Sequence, residues 1–504
     1  MVEPYWLLEQ KTRLIELMRT ATKTTHNHTH DQNRFAVIPV AERLNADTTL
    51  SGRGVTIAIL DSGFYPHPDL VEPRNRIIAF HDVANPKAKL DASIPPQSWD
   101  WHGTQTSVTA AGNGFLSNGV YCSLASEATV ALVKVSDGGH ISDENMVRGL
   151  EWVVANKDQY NIRVVSMSLG GDADISFRES IVDEIAERAV REGLTLVVAA
   201  GNAGCTDDHR PIPPANSPSV ITVGGYNDNN KLGGSEDGPY CSSFGPTVDG
   251  IIKPEIVAPA IWVAAPILPE TNSYRRAEAL SVIAAAPNYQ LQKLVGELWR
   301  EAEWPLSMAA ASPTEIREMA EVGLRESKIV ATHYQHVDGT SFATPIVASV
   351  IAQMLEANSK LTPVAIKNIL VATADRSANL SLHQQGYGVL NARRAVEVAA
   401  TESHTHEECD FNAPRIERGK LVFWYHNDSA KTVSLAGEFN GWNPQATFFA
   451  QHQSGLWQTE IELMSAGNYE YKLVVDGQWL DDPSNGLKVP DNHGGFNSVL
   501  HITE

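Results

Sequence analysis

Residues 55–63 read VTIAILDSG: a β-branched-rich run, Val55–Leu60, passing directly into Asp61-Ser62-Gly63. A run apolar at both parities suits a strand covered on both faces, as in a parallel sheet packed between helices. Working outward, the signature recurs at Val130–Val135 (VALVKV), Arg163–Ser168 (RVVSMS), Leu194–Ala200 (LTLVVAA) and Val220–Val223. Helical patterns separate these runs. One starts at Ser142 as N-cap with Asp143 and Glu144 in its first turn, and puts Met146, Val147, Leu150, Val153 and Val154 on one face. A second groups Ile181, Val182, Ile185 and Val190 and stops at Gly193. Alternating β and α predicts an α/β domain, a parallel sheet flanked by helices.

Residues 261–337 break that rhythm with 77 residues of mostly helical character, including Ser312-Pro313-Thr314-Glu315 as N-cap, first-turn Pro and capping-box Glu. A polar stretch without periodicity, 401–420, reads as a linker. Beyond it lie four of the eleven tryptophans, Trp424, Trp442, Trp457 and Trp479, among short runs at Leu421–Tyr425, Thr432–Ala436, Leu456–Leu463 and Tyr469–Val475. Gly, Asn and Asp separate those runs, the pattern of a small all-β sandwich. The expected organisation is a tail (1–37), an α/β domain (38–400) carrying the 261–337 insertion, the linker, and a β domain (421–504).

The chain has 504 residues, 42% of them hydrophobic and 20% charged, enough to build large cores and exclude global disorder. Sixty acidic side chains face 39 basic ones, a net charge of −21 with no basic stretch, which argues against a nucleic-acid or anionic-membrane surface. At the N-terminus the apolar run Tyr5–Leu8 is cut off by Glu9, Lys11 and Arg13, so no signal peptide is expected. No run approaches the ~18 apolar residues of a membrane span. The expected location is the cytoplasm. Cys122, Cys205, Cys241 and Cys409 are too few for a disulfide framework and lack metal-type spacing. The tracts His26-Asn27-His28-Thr29-His30 and His404-Thr405-His406 read as solvated polar segments.

Three motifs carry chemistry. Asp61 ends its strand where, in an open parallel sheet, ligand-handling residues gather. Trp101-His102-Gly103-Thr104 opens a small-residue segment, and Asp338-Gly339-Thr340-Ser341 leads into the helical run IVASVIAQMLEA. Alone, each has an ordinary explanation: a turn carboxylate, a core histidine, a Ser N-cap. Together, Asp61, His102 and Ser341 supply a carboxylate to orient an imidazole, an imidazole to take a proton, and a hydroxyl that is nucleophilic once the proton leaves.

ILDSGFYPHPDL (59–70), HGTQT (102–106), VVSMSLGG (164–171), VVAAGNAG (197–204), KPEIVAPA (253–260), DGTSFATP (338–345) and GYGVLNARRAV (386–396) resemble, in order, the motifs of subtilisin-family serine proteases. The resemblance spans Ile38 to Ala400 and is strongest to intracellular alkaline proteases. It implies an endopeptidase working through an acyl-enzyme, with Ser341 as nucleophile, His102 as general base and acid, Asp61 as orienter and Asn202 in the oxyanion hole. It also implies that Ser168, Leu169 and Gly170 pair with extended peptide while Ala199, Ala200 and Gly201 form the opposite S1 wall. Trp101 and Ala260 depart from the family, which usually has Gly at both places. No cofactor is expected. Calcium is common among subtilases and Asp69 matches one ligand position, but the 113–123 loop does not match the calcium loop, so no metal site is assigned.

VSLAGEFNGWNP (433–444), NYEYKLVVDGQWLDDP (468–483) and GGFNSVL (494–500) resemble the glycogen-binding module of AMP-activated kinase β subunits. That implies an α-glucan site in which Trp442 and Trp479 stack on sugar rings while Lys472 and Asn497 donate hydrogen bonds. His493 and Gly495 replace the usual Leu and Thr. Two alternatives stay open: tryptophans that serve only a core or a docking surface, and a catalytically silent scaffold binding glucan or protein.

Overall fold

The computed structural model describes residues 36–402 and 414–502, apart from 172, 208, 234–236, 418–419, 428–429, 452–455, 466, 484 and 486–487. The expected tail up to Phe35, both histidine tracts, Cys409 and most of the expected linker lie outside the described residues. Contacts divide the chain at Ala36/Val37, and the unit from Val37 onward is described below.

Seven parallel strands form the central sheet: β1 (Thr56–Asp61), β2 (Ile77–Asp82), β3 (Thr129–Lys134), β4 (Ile162–Met167), β5 (Thr195–Ala199), β6 (Ile221–Asn227) and β7 (Ile256–Pro259). Their order is β7-β6-β5-β4-β1-β3-β2, and the two-residue strand Gly238–Pro239 pairs antiparallel with β6. β1 lies between β3 and β4 and is buried along its whole length, so both its faces must be apolar. Sequence periodicity misses β2, an edge strand with little burial, and β7, which lies inside the KPEIVAPA motif.

Helices α1 (Asp100–Ala111), α2 (Asp143–Tyr160) and α3 (Ile181–Arg191) follow the strands. Ser142 caps α2 as its sequence predicts, its hydroxyl accepting from Asn145 N, and Met146, Leu150, Val153 and Val154 are buried. On α3 the apolar face turns out to be Val182, Ile185, Ala186 and Ala189. Val190 packs partly buried against the same core as expected, while Ile181, the first helical residue, is 51% exposed.

Helix α7 (Thr340–Ala357), reached after the insertion, runs through the core against α1 and strands β4 to β7. Phe342 to Leu355 is continuously buried, which is why this helix is apolar all round rather than amphipathic. Below the sheet, Lys253 and Lys367 both reach Glu255 Oε1 at 2.7 Å, while Thr222 N donates to Glu255 Oε2 at 2.7 Å. A fully buried lysine is tolerated here because this carboxylate and the Val220 carbonyl satisfy it.

The insertion contains helices α4 (Asn272–Ala285), α5 (Asn288–Leu298) and α6 (Pro313–Glu326), packed on a core of their own around Leu280, Ile283, Leu291, Val295 and Ile316. Ser312 and Glu315 form the expected capping box. It is not purely helical: β8 (Val263–Pro266), β9 (Ile329–Ala331) and β10 (Tyr334–Val337) form an antiparallel sheet in the order β8-β10-β9. Strands of three or four residues are too short to carry a legible alternation.

After α8 (Pro363–Thr373) and α9 (Ala392–Thr401) comes the C-terminal domain. β11 (Arg415–Glu417), β12 (Lys420–His426), β14 (Ala450–Gln451) and β15 (Leu456–Glu462) make one antiparallel sheet; β11 falls inside the expected linker. The other comprises β13 (Val433–Gly437), β16 (Gly467–Val475), β17 (Gln478–Leu480), β18 (Lys488–Pro490) and β19 (Phe496–Ile502). Phe423, Leu435, Trp457, Tyr471 and Leu473 fill the space between the sheets, giving a β-sandwich.

Candidate active site

β1 delivers Asp61 at its carboxyl end, and α1 delivers His102 as its third residue. The two elements meet closely. A Cβ on Gly103 would lie 2.1 Å from Gly63 O and 2.9 Å from Asp61 Cβ, so only glycine lets the first turn of α1 settle onto the end of β1. His102 Nδ1 then lies 2.8 Å from Asp61 Oδ1. Asp61 is buried, and its Oδ1 also accepts from Ser62 N at 2.7 Å. Burial opposes protonation of His102, but the charge of Asp61 and the hydrogen bond to it outweigh that, so its pKa is held above the ordinary 6.5.

Ser341 is the second residue of α7, and the N-cap is Gly339 at φ 139°. The hydroxyl of Ser341 is therefore not spent as a helix cap, and it stands where free N–H groups favour negative charge. Pro345 lies four residues on. Having no N–H, it cannot bond the Ser341 carbonyl, and Ser168 Oγ donates to that carbonyl at 2.7 Å instead. This bond ties the Ser341 turn to the end of β4. Gly339 N donates to Ala260 O at 2.7 Å, so the end of β7 holds the other side of the turn.

Asn202 follows β5 and is exposed. Thr340 donates to its Oδ1 twice, from N at 3.0 Å and from Oγ1 at 3.1 Å, which leaves the amide Nδ2, beside Gly339, as the end free to donate. Before it, Ala199 and Ala200 are buried. Gly201 sits at φ +100°, where an added Cβ would come 2.9 Å from Ser243 Oγ, so the position requires glycine. Of the facing segment, Ser168 is buried, Leu169 half-buried and Gly170 exposed. Trp101 is 47% exposed and meets the His102 ring edge-on, with centroids 5.2 Å apart. A disulfide joins Cys205 to Cys241 just beyond Asn202, and Gly204 N donates to Cys241 O at 3.0 Å. Nothing in the cysteine spacing signals this pair.

Residues 52–388 match the subtilase family over most of the chain. The chain belongs to the subtilase family. It is 32% identical over 390 residues to the serine protease AprX of Bacillus subtilis, covering 75% of this chain and 72% of that one. A cuticle-degrading serine protease of Arthrobotrys oligospora is 31% identical over 204 residues, 40% of this chain and 45% of its own. The major intracellular serine protease of B. subtilis is 32% identical over 180 residues, 35% and 52% respectively. This subtilase is thus a serine protease acting on polypeptides, with a second match at residues 420–504 to the glycogen recognition site of AMP-activated protein kinase.

The calcium position does not fit a cation. Asp69 is fully buried, and its carboxylate already accepts from the Tyr334 hydroxyl at 2.7 Å and from Leu116 N at 3.1 Å. Its carbonyl, with those of Ala111 and Ala128, is taken by the Arg76 guanidinium. Among the described residues no group of three or more His, Cys, Asp or Glu is arranged to hold a metal.

In the β-sandwich, strand alternation puts Tyr471, Leu473 and Val475 in the core and turns Lys472 to the outer face of its sheet. Trp479, paired with Val474, and Asn497, two residues before Val499 opposite Glu470, lie on that same face. Trp442 joins them from the turn after β13, its ring 6.4 Å from that of Trp479 and tilted 33°. Trp457, by contrast, is buried, with Nε1 bonded to Asn427 O at 3.0 Å. The polar pair is already engaged: Lys472 with Asp491, and Asn497 Nδ2 with Glu470 Oε2 at 2.7 Å. Asp491 also accepts from His493 N and Gly495 N, both at 2.8 Å, so the two departures from the family lie in a turn this carboxylate organises. Burial works to raise the Asp491 pKa, but the Lys472 ammonium and these N–H groups bring it down to about 2.

Proposed function

We propose that Ser341 is the nucleophile of an endopeptidase, that His102 takes its proton and returns it to the leaving amine, and that Asp61 holds the imidazole in the donating tautomer. The observation that carries this reading is the 2.8 Å contact between His102 Nδ1 and Asp61 Oδ1, joined to a Ser341 turn that is free of capping duty. Asn202 Nδ2 stabilises the oxyanion; losing such a donor costs about 10²–10³ in kcat, a figure measured in subtilisin itself. Ser168, Leu169 and Gly170 pair with the extended substrate, and Ala199, Ala200 and Gly201 leave room for a large P1 side chain. In this reading the side chains do the acid–base work without a metal or other cofactor, and the engaged carboxylate of Asp69 supports it. Hydrolysis of casein and short chromogenic peptides should persist in EDTA and vanish in Ser341→Ala. Activity surviving in that variant would overturn the assignment.

We further propose that the outer face of the sandwich binds α-glucan. Two neighbouring tryptophans, one 44% exposed, offer apolar faces to glucose rings, and Lys472 and Asn497 lie on the same face. Retention on amylose should be lost in Trp442→Ala and Trp479→Ala; retention unchanged in both would assign the tryptophans to another role. An intracellular location is part of the same proposal, and the likeness to the major intracellular serine protease of B. subtilis supports it. The Cys205–Cys241 bond weighs against a strongly reducing compartment. Neither nucleic acid nor membrane is a partner in this reading. Among the described residues no helix is long and apolar enough to cross a bilayer.

A further inference from the structure

Asp61 has two carboxylate oxygens, and the imidazole uses only one. Oδ1 faces His102 and Ser62 N. Oδ2 receives Thr106 Oγ1 at 2.9 Å. Thr106 lies one helical turn after His102 on α1 and is fully buried. Its hydroxyl carries one proton and has one competing acceptor, Gly103 O at 3.2 Å. The shorter distance and the negative charge on the acceptor both favour Asp61. Ser62 does not duplicate the contact: its Oγ is 2.8 Å from Trp99 O but 3.2 Å from Asp61 Oδ1, so its proton goes to the carbonyl.

We propose that Thr106 is a positioning residue of the catalytic apparatus, fixing the Asp61 carboxylate so that Oδ1 stays aimed at His102 Nδ1–H. This rests on the triad reading above. One short helix then supplies both the imidazole and the group that aims the imidazole's partner. Two donors on opposite oxygens stop the carboxylate from rotating about its own axis, which keeps Oδ1 in line with Nδ1–H. By drawing charge onto Oδ2, the hydroxyl also leaves Oδ1 a weaker acceptor, so it restrains the upward displacement of the His102 pKa that Asp61 imposes.

Thr106→Val keeps the shape and removes the donor; Thr106→Ser keeps the donor. In Val, kcat/KM on a peptide substrate should fall about tenfold, the worth of one charge-assisted hydrogen bond. The acid limb of its pH profile should move to higher pH, and the NMR titration of His102 should move with it. Ser should restore both. An unmoved limb and titration in a folded Val variant would overturn the proposal, as would equal losses in Val and Ser, which mark a packing role. If Val does not fold, Thr106→Ala against Thr106→Ser poses the same question, judged by the same two outcomes. The NMR titration needs no turnover, so it reads Thr106 separately from the triad, whose own failure would appear as activity in Ser341→Ala.

Discussion

At the scale of single residues, His102 is balanced between burial, which favours its neutral form, and Asp61, which favours its charged form, and Asp61 wins. A general base must be neutral to accept a proton, so the acid limb of kcat/KM should lie above pH 6.5, with activity rising as pH climbs through it. A limb below 6.5 would mean that Asp61 is not the controlling charge. Asp61, His102 and Ser341 could be proposed from sequence because each stands in a run of small or turn-forming neighbours whose spacing is itself informative. Thr106 and the hydroxyl of Ser168 could not. Their partners, a carboxylate 45 positions away and a carbonyl 173 positions away, come within reach only after the sheet and α7 are packed. The need for Ser168 follows from Pro345, which a sequence shows as a helix breaker without showing what repairs the break.

At the scale of elements, the insertion is joined to the body by polar contacts rather than simply laid over it. Tyr334 on β10 reaches Asp69, Gln105 on α1 donates to Pro266 O at 2.9 Å, and Lys328 grips Asp338 in the turn before Ser341. Asp338 feels opposing effects, burial raising its pKa and the bonds from His336 and Lys328 lowering it, with a net position of about 2. It therefore stays charged and held across the working range of pH. Tyr334→Phe removes a donor from a fully buried carboxylate and should cost about 1–3 kcal/mol, read as a lower urea midpoint with unchanged slope. No loss would mean that the carboxylate finds another donor. The helices of this segment were visible from caps and apolar spacing. Its sheet was not, since β8, β9 and β10 are short: β9 and β10 form a tight local hairpin with a register shift, and β8 finds β10 only across the whole helical segment.

At the scale of the whole molecule, the sandwich meets the protease fold through a small, partly buried polar seam. Tyr387, from the GYG motif, donates to Asp481 Oδ2 at 2.8 Å, and Lys488 reaches both groups. Tyr387 and Phe496 lie 5.9 Å apart, and the Arg376 guanidinium sits 5.8 Å above the Phe496 ring. Burial would raise the Asp481 pKa, but Lys488 and the Tyr387 hydroxyl keep it low. Asp481→Asn leaves the Lys488 ammonium buried without its counter-charge and should cost about 3–5 kcal/mol. Calorimetry should then show the sandwich melting before the protease fold; one unsplit, unshifted transition would mean the seam adds nothing. Composition announced that a second domain exists, but a seam built from Tyr387, Asp481 and Lys488 leaves no trace in either domain's own pattern.

That seam changes what anchoring accomplishes. Asp481 is two residues from Trp479, so the face proposed to bind glucan and the peptidase body are fastened almost at the same point. A catalyst on a loose string sweeps a sphere and cuts whatever drifts in. One bolted to its anchor works at a fixed stand-off, and only neighbours held at that height come under the blade. On a glucan surface this subtilase would choose its victims by address as much as by sequence.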